Sequence, residues 1–585
     1  MSMITAGNTA HFSVAYDSAL SAAGPAMAQA VLSACESDFS TLSYLFAVSL
    51  PAANLPIQVN IVSGSGGANN NLVNVINCTV PSTFIPANLP ALVVAEEAEI
   101  FMTAQNKGWI ANWSHGEALS RVCAQVLYPS LRYLWSTGNS WLNGSPSSTT
   151  PARWDGVDGV KQTDQDNVAT GCGSLFLNYL AYQLGFPWTH IIQAGALPNN
   201  TLQNTATALG LSPATAFSDF LTLLDTYFPP STQAQLHDDD PFPLGRPSLY
   251  LRHNLTDDGT YEVGPLADSP DIIVRNNVVA SPQATFSTAA SIASATESDP
   301  NVLDTQDNYV YLRVWNRGTE DATNVTATVY WSPPATLVTP SMWNLIGSAP
   351  LADVPTGNVV EVTAPGITWP QANIPAPGHY CFVATAGSAN DPAPSPTSFG
   401  SFQEFVDYIY SHNNITWRNF NVVGVPMHVH PVPHPFPGHI PLPFLLTGAP
   451  DRAHKFTFEI GAVLPEGGRL ALQVAENLGQ ALRPAGADVD QHDDATTDPR
   501  QPRRIRISLD PARRQWLREI TLPAGTAAPS HLLVHIPEGQ TLRMHDIFIR
   551  QLYAGREVGR ITWRLVPVPE RVPVPPPLRQ EPATT

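Results

Sequence analysis

The chain has 585 residues, of which 43% are hydrophobic and only 13% charged, with 56 Pro and 38 Gly. That length exceeds one domain at ~100–200 residues each, the apolar content excludes global disorder, and low charge with many turn-formers favours short strands. The net charge of −19 is concentrated in residues 1–450, where 32 acidic residues face 11 basic ones, which argues against nucleic acid as a partner.

In chain order, residues 11–16 (HFSVAY) alternate as a strand, and 24–50 carry helix-spaced apolar residues up to Pro51. IQVNIVSGSGG and LVNVINCTV read as two strands around a Gly/Asn loop. LPALVVAEEAEIFMTAQNKGW comes after them as a strong helix. A second helix starts near Ser114, where SHGE has capping-box spacing with Ser114 as N-cap and Glu117 three residues on, and Arg121 stands four residues beyond Glu117. A long polar loop leads to three further helices, GCGSLFLNYLAYQLGF and the pair in TLQNTATALGLSPATAFSDFLTLLDTYF.

At HDDDPFPLGRP the texture changes. Short alternating strands fill 248 to about 425, at the turn spacing of a β-sandwich, and return in 444–570. Between them lies a Pro-rich stretch with His428, His430, His434 and His439, whose prolines force extended backbone and read as linker rather than metal site. Asp155, Asp158, Asp164 and Asp166 lack EF-hand spacing and read as a polar loop. Five Cys with no CxxC argue against a disulfide framework or structural zinc. No run reaches ~18 uninterrupted apolar residues, so no transmembrane segment is expected. The first residues carry no recognisable Sec signal. The expectation is a soluble chain, cytoplasmic or exported by a non-Sec route.

The stretch Ala95-Glu96-Glu97-Ala98-Glu99 has the frame of HExxH, in which two His four apart ligate Zn²⁺ and the adjacent Glu activates water. Gly116-Glu117-Ala118-Leu119-Ser120 stands where a third-ligand Glu is expected on the next helix. With the helices downstream, residues 1–232 resemble the gluzincin metallopeptidases. The resemblance puts Glu96 in the place of the general base and Glu117 in that of the third ligand. It also fills the two His positions with Ala95, which cannot ligate, and Glu99. Separately, SPDIIVRNN and NYVYLRVWNRG resemble immunoglobulin-like modules of multidomain bacterial proteins.

The expected fold is therefore multidomain. It has an α+β zincin-like domain with a helical lobe (1–236), an immunoglobulin-like β-sandwich (245–426), a Pro/His-rich linker (427–443), a second β-sandwich (444–570) and a Pro-rich tail (571–585). The leading functional reading is a non-catalytic binding or structural protein, a pseudo-peptidase that needs no cofactor and takes a protein or peptide partner. One rival is an active metal-dependent hydrolase with Glu96 as catalytic residue and Glu99, Glu117 and His115 around a divalent cation (Ca²⁺, Mg²⁺ or Zn²⁺). The other is a subunit of a larger homo- or hetero-oligomeric assembly. Glu117 also has a purely structural reading, as partner of the Ser114 cap and of Arg121.

Overall fold

The computed structural model describes residues 2–144, 161–230, 232–259, 265–299, 301–423, 440–482, 489–490, 504–511, 514–537 and 545–565. The loop with Asp155 and Asp158, the stretch with His428, His430, His434 and His439, and the Pro-rich tail lie outside the described residues.

The first unit is α+β. Strands β1 (Met3–Asn8), β2 (Phe12–Asp17), β3 (Ile57–Ser63), β4 (Gly67–Asn70) and β5 (Val75–Val80) form one sheet in the order β1-β2-β3-β5-β4. β2, β3 and β5 are parallel, while β1 and β4 are antiparallel edges. The central strands alternate: Ile57, Val59 and Ile61 are buried, as are Ile76 and Cys78. Helices α1 (Ala23–Phe46) and α2 (Leu89–Gln105) pack on each other and against this sheet. α2 is apolar on nearly every side, as a central helix must be. It ends at Asn106, whose left-handed backbone (φ 52°) lets its N–H return to the Met102 carbonyl.

α3 (Ser114–Leu127) packs between α2 and the helical lobe, which comprises α4 (Gly138–Leu142), α5 (Asn167–Asn178), α6 (Trp188–Ala194), α7 (Leu202–Ala208) and α8 (Ala216–Tyr227). The capping box does not form. The N-cap is Trp113, without a side-chain bond, and Ser114 instead exchanges two hydrogen bonds with the Lys161 backbone. A neighbouring segment has displaced the local partner. Gly116 is required there: a Cβ would sit 1.9 Å from the Ile110 carbonyl oxygen.

The three aspartates of HDDD stitch the helical lobe to the β-rich remainder of the chain. Asp238 pairs with Arg132 at 3.0 Å, Asp239 accepts from the Thr137 and Gly138 amides at the start of α4, and Asp240 lies 3.5 Å from Arg317.

The middle unit is built of two sheets. One comprises β6 (Leu249–Tyr250), β7 (Ile272–Arg275), β9 (Asn308–Asn316), β12 (Glu361–Val362) and β13 (Ile367–Trp369). The other comprises β8 (Val302–Leu303), β10 (Thr326–Ser332), β11 (Asn344–Pro350), β14 (Gly378–Gly387) and β15 (Ile415–Val423), in the order β11-β10-β14-β15-β8. Their inner faces share an apolar core containing Val310, Leu312, Val329, Phe382 and Phe420, a β-sandwich arrangement. The motifs that carried the module resemblance meet in its interior. Asp271 accepts Arg252 Nη2 at 2.7 Å and the Trp315 indole N–H at 3.0 Å, with Arg313 Nη1 at 3.7 Å.

The last unit pairs β16 (Ile440–Thr447), β18 (Arg469–Ala475), β19 (Val489–Asp490), β20 (Arg504–Leu509) and β22 (Ala527–His535) in one sheet. A second sheet holds β17 (His454–Ala462), β21 (Gln515–Leu522), β23 (His545–Tyr553) and β24 (Arg556–Leu565). Its core is continuous with the outer face of the middle unit, so Trp343, Val383 and Phe405 belong to the same cluster as Phe444, Phe458 and Leu532. The turn between β23 and β24 docks on α1: Ser37 Oγ donates to the Gly555 carbonyl at 2.8 Å and Thr41 Oγ1 to that of Ala554 at 2.9 Å. Among the described residues no helix is long and apolar enough to cross a membrane, and all five Cys are buried free thiols.

Candidate functional site

The carboxylates singled out in the sequence lie along one cleft of about 410 Å³, walled by β4, α2 and the start of α3. Glu96 and Glu99 are three apart on α2 and so share a helix face. Both turn toward Asn70 on β4, whose amide donates to Glu96 Oε2 at 2.8 Å and to Glu99 Oε2 at 2.7 Å. Glu117 lines the same cleft from α3 but is engaged by Arg121, whose Nε donates to it at 2.7 Å across one helical turn. Asp164, Asn112 and Asn167 complete the polar wall.

Burial pushes the Glu96 carboxyl up to about 7, aided by the charges of Glu117 and Asp164 and opposed by the Asn70 bond. Burial, then the neighbouring Glu96, pushes Glu99 up to about 8. Both carboxyls therefore keep their protons to higher pH than an ordinary glutamate does.

His115 is not part of this cleft. It is 1% exposed, lies against Trp109 and Trp113, and bonds the Gly108 carbonyl through Nε2 at 3.1 Å. Burial holds its pKa below the usual histidine range, so it is neutral. Glu97, beside Glu96 in sequence, faces away from the cleft. It is fully buried, and neither of its oxygens has a hydrogen-bond partner among the described residues. Among the described residues no group of three or more His, Cys, Asp or Glu is arranged to hold a metal ion.

Sequence reasoning missed two parts of the site. β4 is spelled Gly-Ala-Asn-Asn, residues depleted in strands, so propensity reads it as loop. Asn70, the residue that joins the two glutamates, lies on it and gives no signal of its own.

The cleft offers carboxylate acceptors near neutrality, amide donors, one guanidinium and a strand that ends its sheet among the described residues. That set can bind ammonium or guanidinium groups, and it can exchange a proton with a ligand.

No protein-family model matches the chain, and no curated protein matches it. Among solved structures, the chain is similar to the CARDB domain of the PF1109 protein from Pyrococcus furiosus, solved in complex with di-metal ions. The two share 10% identity over 32% of this chain and 95% of that one, with a TM-score of 0.16.

Proposed function

We propose that residues 1–236 are a degenerate gluzincin-like metallopeptidase domain, and that the chain is a binding or structural protein holding a peptide segment in the β4 cleft without cutting it. The observation that carries this reading is the pair of bonds from Asn70 to Glu96 and Glu99. They set a strand edge beside the helix face where a zinc peptidase keeps its histidines. β4 ends its sheet, so its outer side can take an extended segment through main-chain hydrogen bonds. The carboxylates beside it favour a Lys or Arg side chain on that segment. Ala95 and Glu99 stand where family-type zinc would need imidazoles, which supports binding without hydrolysis. The β-sandwich units behind it act as interaction modules.

One observation favours the hydrolase instead: Glu96, with its carboxyl pushed up to about 7 in a cleft, suits general acid–base work. A labelled peptide library, read by fluorescence anisotropy and by mass spectrometry of products, separates the two. Binding without cleavage, weakened in Glu96→Gln/Glu99→Gln, supports the binding reading. Cleavage by the wild type that disappears in Glu96→Gln supports the hydrolase. Neither binding nor cleavage removes the cleft from consideration and leaves the assembly subunit, which light scattering at high concentration tests.

A further inference from the structure

A second cavity, of about 490 Å³, lies between the first unit and the last. It is separate from the β4 cleft, and its lining has the opposite charge. Arg514, Arg550, Arg556 and Arg560 face it from the last unit, although the chain as a whole carries −19.

Two carboxylates answer these four guanidiniums. Glu459, buried behind them, pairs with Arg514 at 3.1 Å and with Arg550. Glu557 pairs with Arg550 at 3.2 Å and with Arg560 at 2.9 Å. Arg556 makes no ion pair among the described residues, and its guanidinium lies over the Tyr410 ring at 4.3 Å. On the opposite wall Asp38 accepts the Tyr128 hydroxyl at 2.6 Å rather than an arginine. The arginine wall thus sets four guanidiniums against two paired carboxylates, with Asp407 near Arg556, Asp268 near Arg560 and Asp38 on the facing wall as further acidic groups. Leu127, Leu266 and Phe548 add apolar surface to the lining, beside Ser37 and Thr41.

We propose that this cavity binds a small organic phosphate, its dianionic phosphoryl group held by the guanidiniums around Arg556 and its organic part against Leu127 and Leu266. Guanidinium forks match phosphoryl oxygens in geometry and charge, and a cluster of guanidiniums suits a dianion better than a monocarboxylate. The cavity is larger than a bare phosphate needs. A ligand there touches both the first unit and the last, so binding stabilises their contact.

Phenyl phosphate, inorganic phosphate and benzoate are titrated into the full chain by isothermal calorimetry, with thermal unfolding run in parallel. Phenyl phosphate is expected to bind saturably and to raise Tm. Inorganic phosphate binds more weakly and benzoate weakest, and all weaken with added NaCl. Arg556→Gln is expected to reduce phenyl phosphate affinity by about tenfold or more, the worth of one charge-assisted contact. Arg514→Gln, at a side chain 68% exposed whose partner Glu459 keeps Arg550, gives a second variant. The absence of saturable binding overturns the proposal. So does unchanged affinity in both variants, or benzoate binding as tightly as phenyl phosphate. Peptide binding at the β4 cleft is unaffected by any of these outcomes.

Discussion

Asn70 bonds Glu99 at 2.7 Å across the gap between the edge strand and α2, and the same amide reaches Glu96 at 2.8 Å. A single neutral donor thus stands between two carboxylates that would otherwise repel each other. Asn70→Ala leaves both acceptors without it. The expected cost is about 1–3 kcal/mol at pH 8, where the pair carries most charge, and less at pH 5. Urea unfolding at the two pH values measures it. Equal loss at both would show that the amide acts as packing alone.

The raised carboxyls fix the sign of the pH dependence. Glu96 and Glu99 titrate near 7 and 8 when folded, against 4.5 for an ordinary glutamate, and Asp38 is pushed up to about 7 by burial. Between these limits the folded chain binds more protons than the unfolded one. Their contribution is therefore fully present below about pH 4.5 and is lost as pH rises through 7 to 8. Tm is expected to fall from pH 5.5 to pH 8.5, and Glu96→Gln/Glu99→Gln to flatten that slope. A slope unchanged in the double variant would assign it to other groups.

Glu97 has no hydrogen bond among the described residues and no exposure, and burial holds its pKa well above the usual carboxylate range. A buried, unpaired carboxyl near the further carboxyls of Asp38 and Glu36 is a liability. Glu97→Met, close in volume, is expected to stabilise the protein by roughly 1–3 kcal/mol at neutral pH, measured by chemical denaturation. Destabilisation would reveal a partner for the carboxyl.

Asp271 is fully buried and bonded by Arg252 and Trp315. Asp271→Ala strands Arg252 and Arg313 in the interior of the middle sandwich and is expected to cost about 3–5 kcal/mol. A smaller loss, read by the same denaturation assay, would mean that water reaches the arginines.

Much of this architecture is legible in the sequence because it rests on local signals. α2 is readable from apolar spacing, though its end at Gln105 falls short of the NKGW that the sequence reading includes, and the Glu117–Arg121 pair from four-residue separation. The module motif is readable as letters, and its cause is the burial of Asp271 beside Arg252 and Arg313. The illegible parts depend on distant chain. β4 becomes a strand only because β5 offers it an edge, the Ser114 cap is taken by Lys161, and His115 is drawn away from the glutamates by the tryptophans beside it. The shared core of the two sandwiches comes from the outer face of β14 and β15, where alternation alone cannot tell a solvent face from an interface.

The turn seated on α1 also orders events during synthesis. Ser37 and its acceptor at Gly555 are 518 residues apart, and Gly555 (φ 76°) fits only because it has no side chain: a Cβ would lie 2.2 Å from the Ser37 carbonyl oxygen. At about 5–20 residues per second, translation separates the two by on the order of half a minute or more. Throughout that interval α1 presents Ser37, Thr41 and Tyr44 to whatever meets the nascent chain. A helix made early is completed by a turn made late, so a chain cut short before that turn is left with a bare surface on its oldest helix.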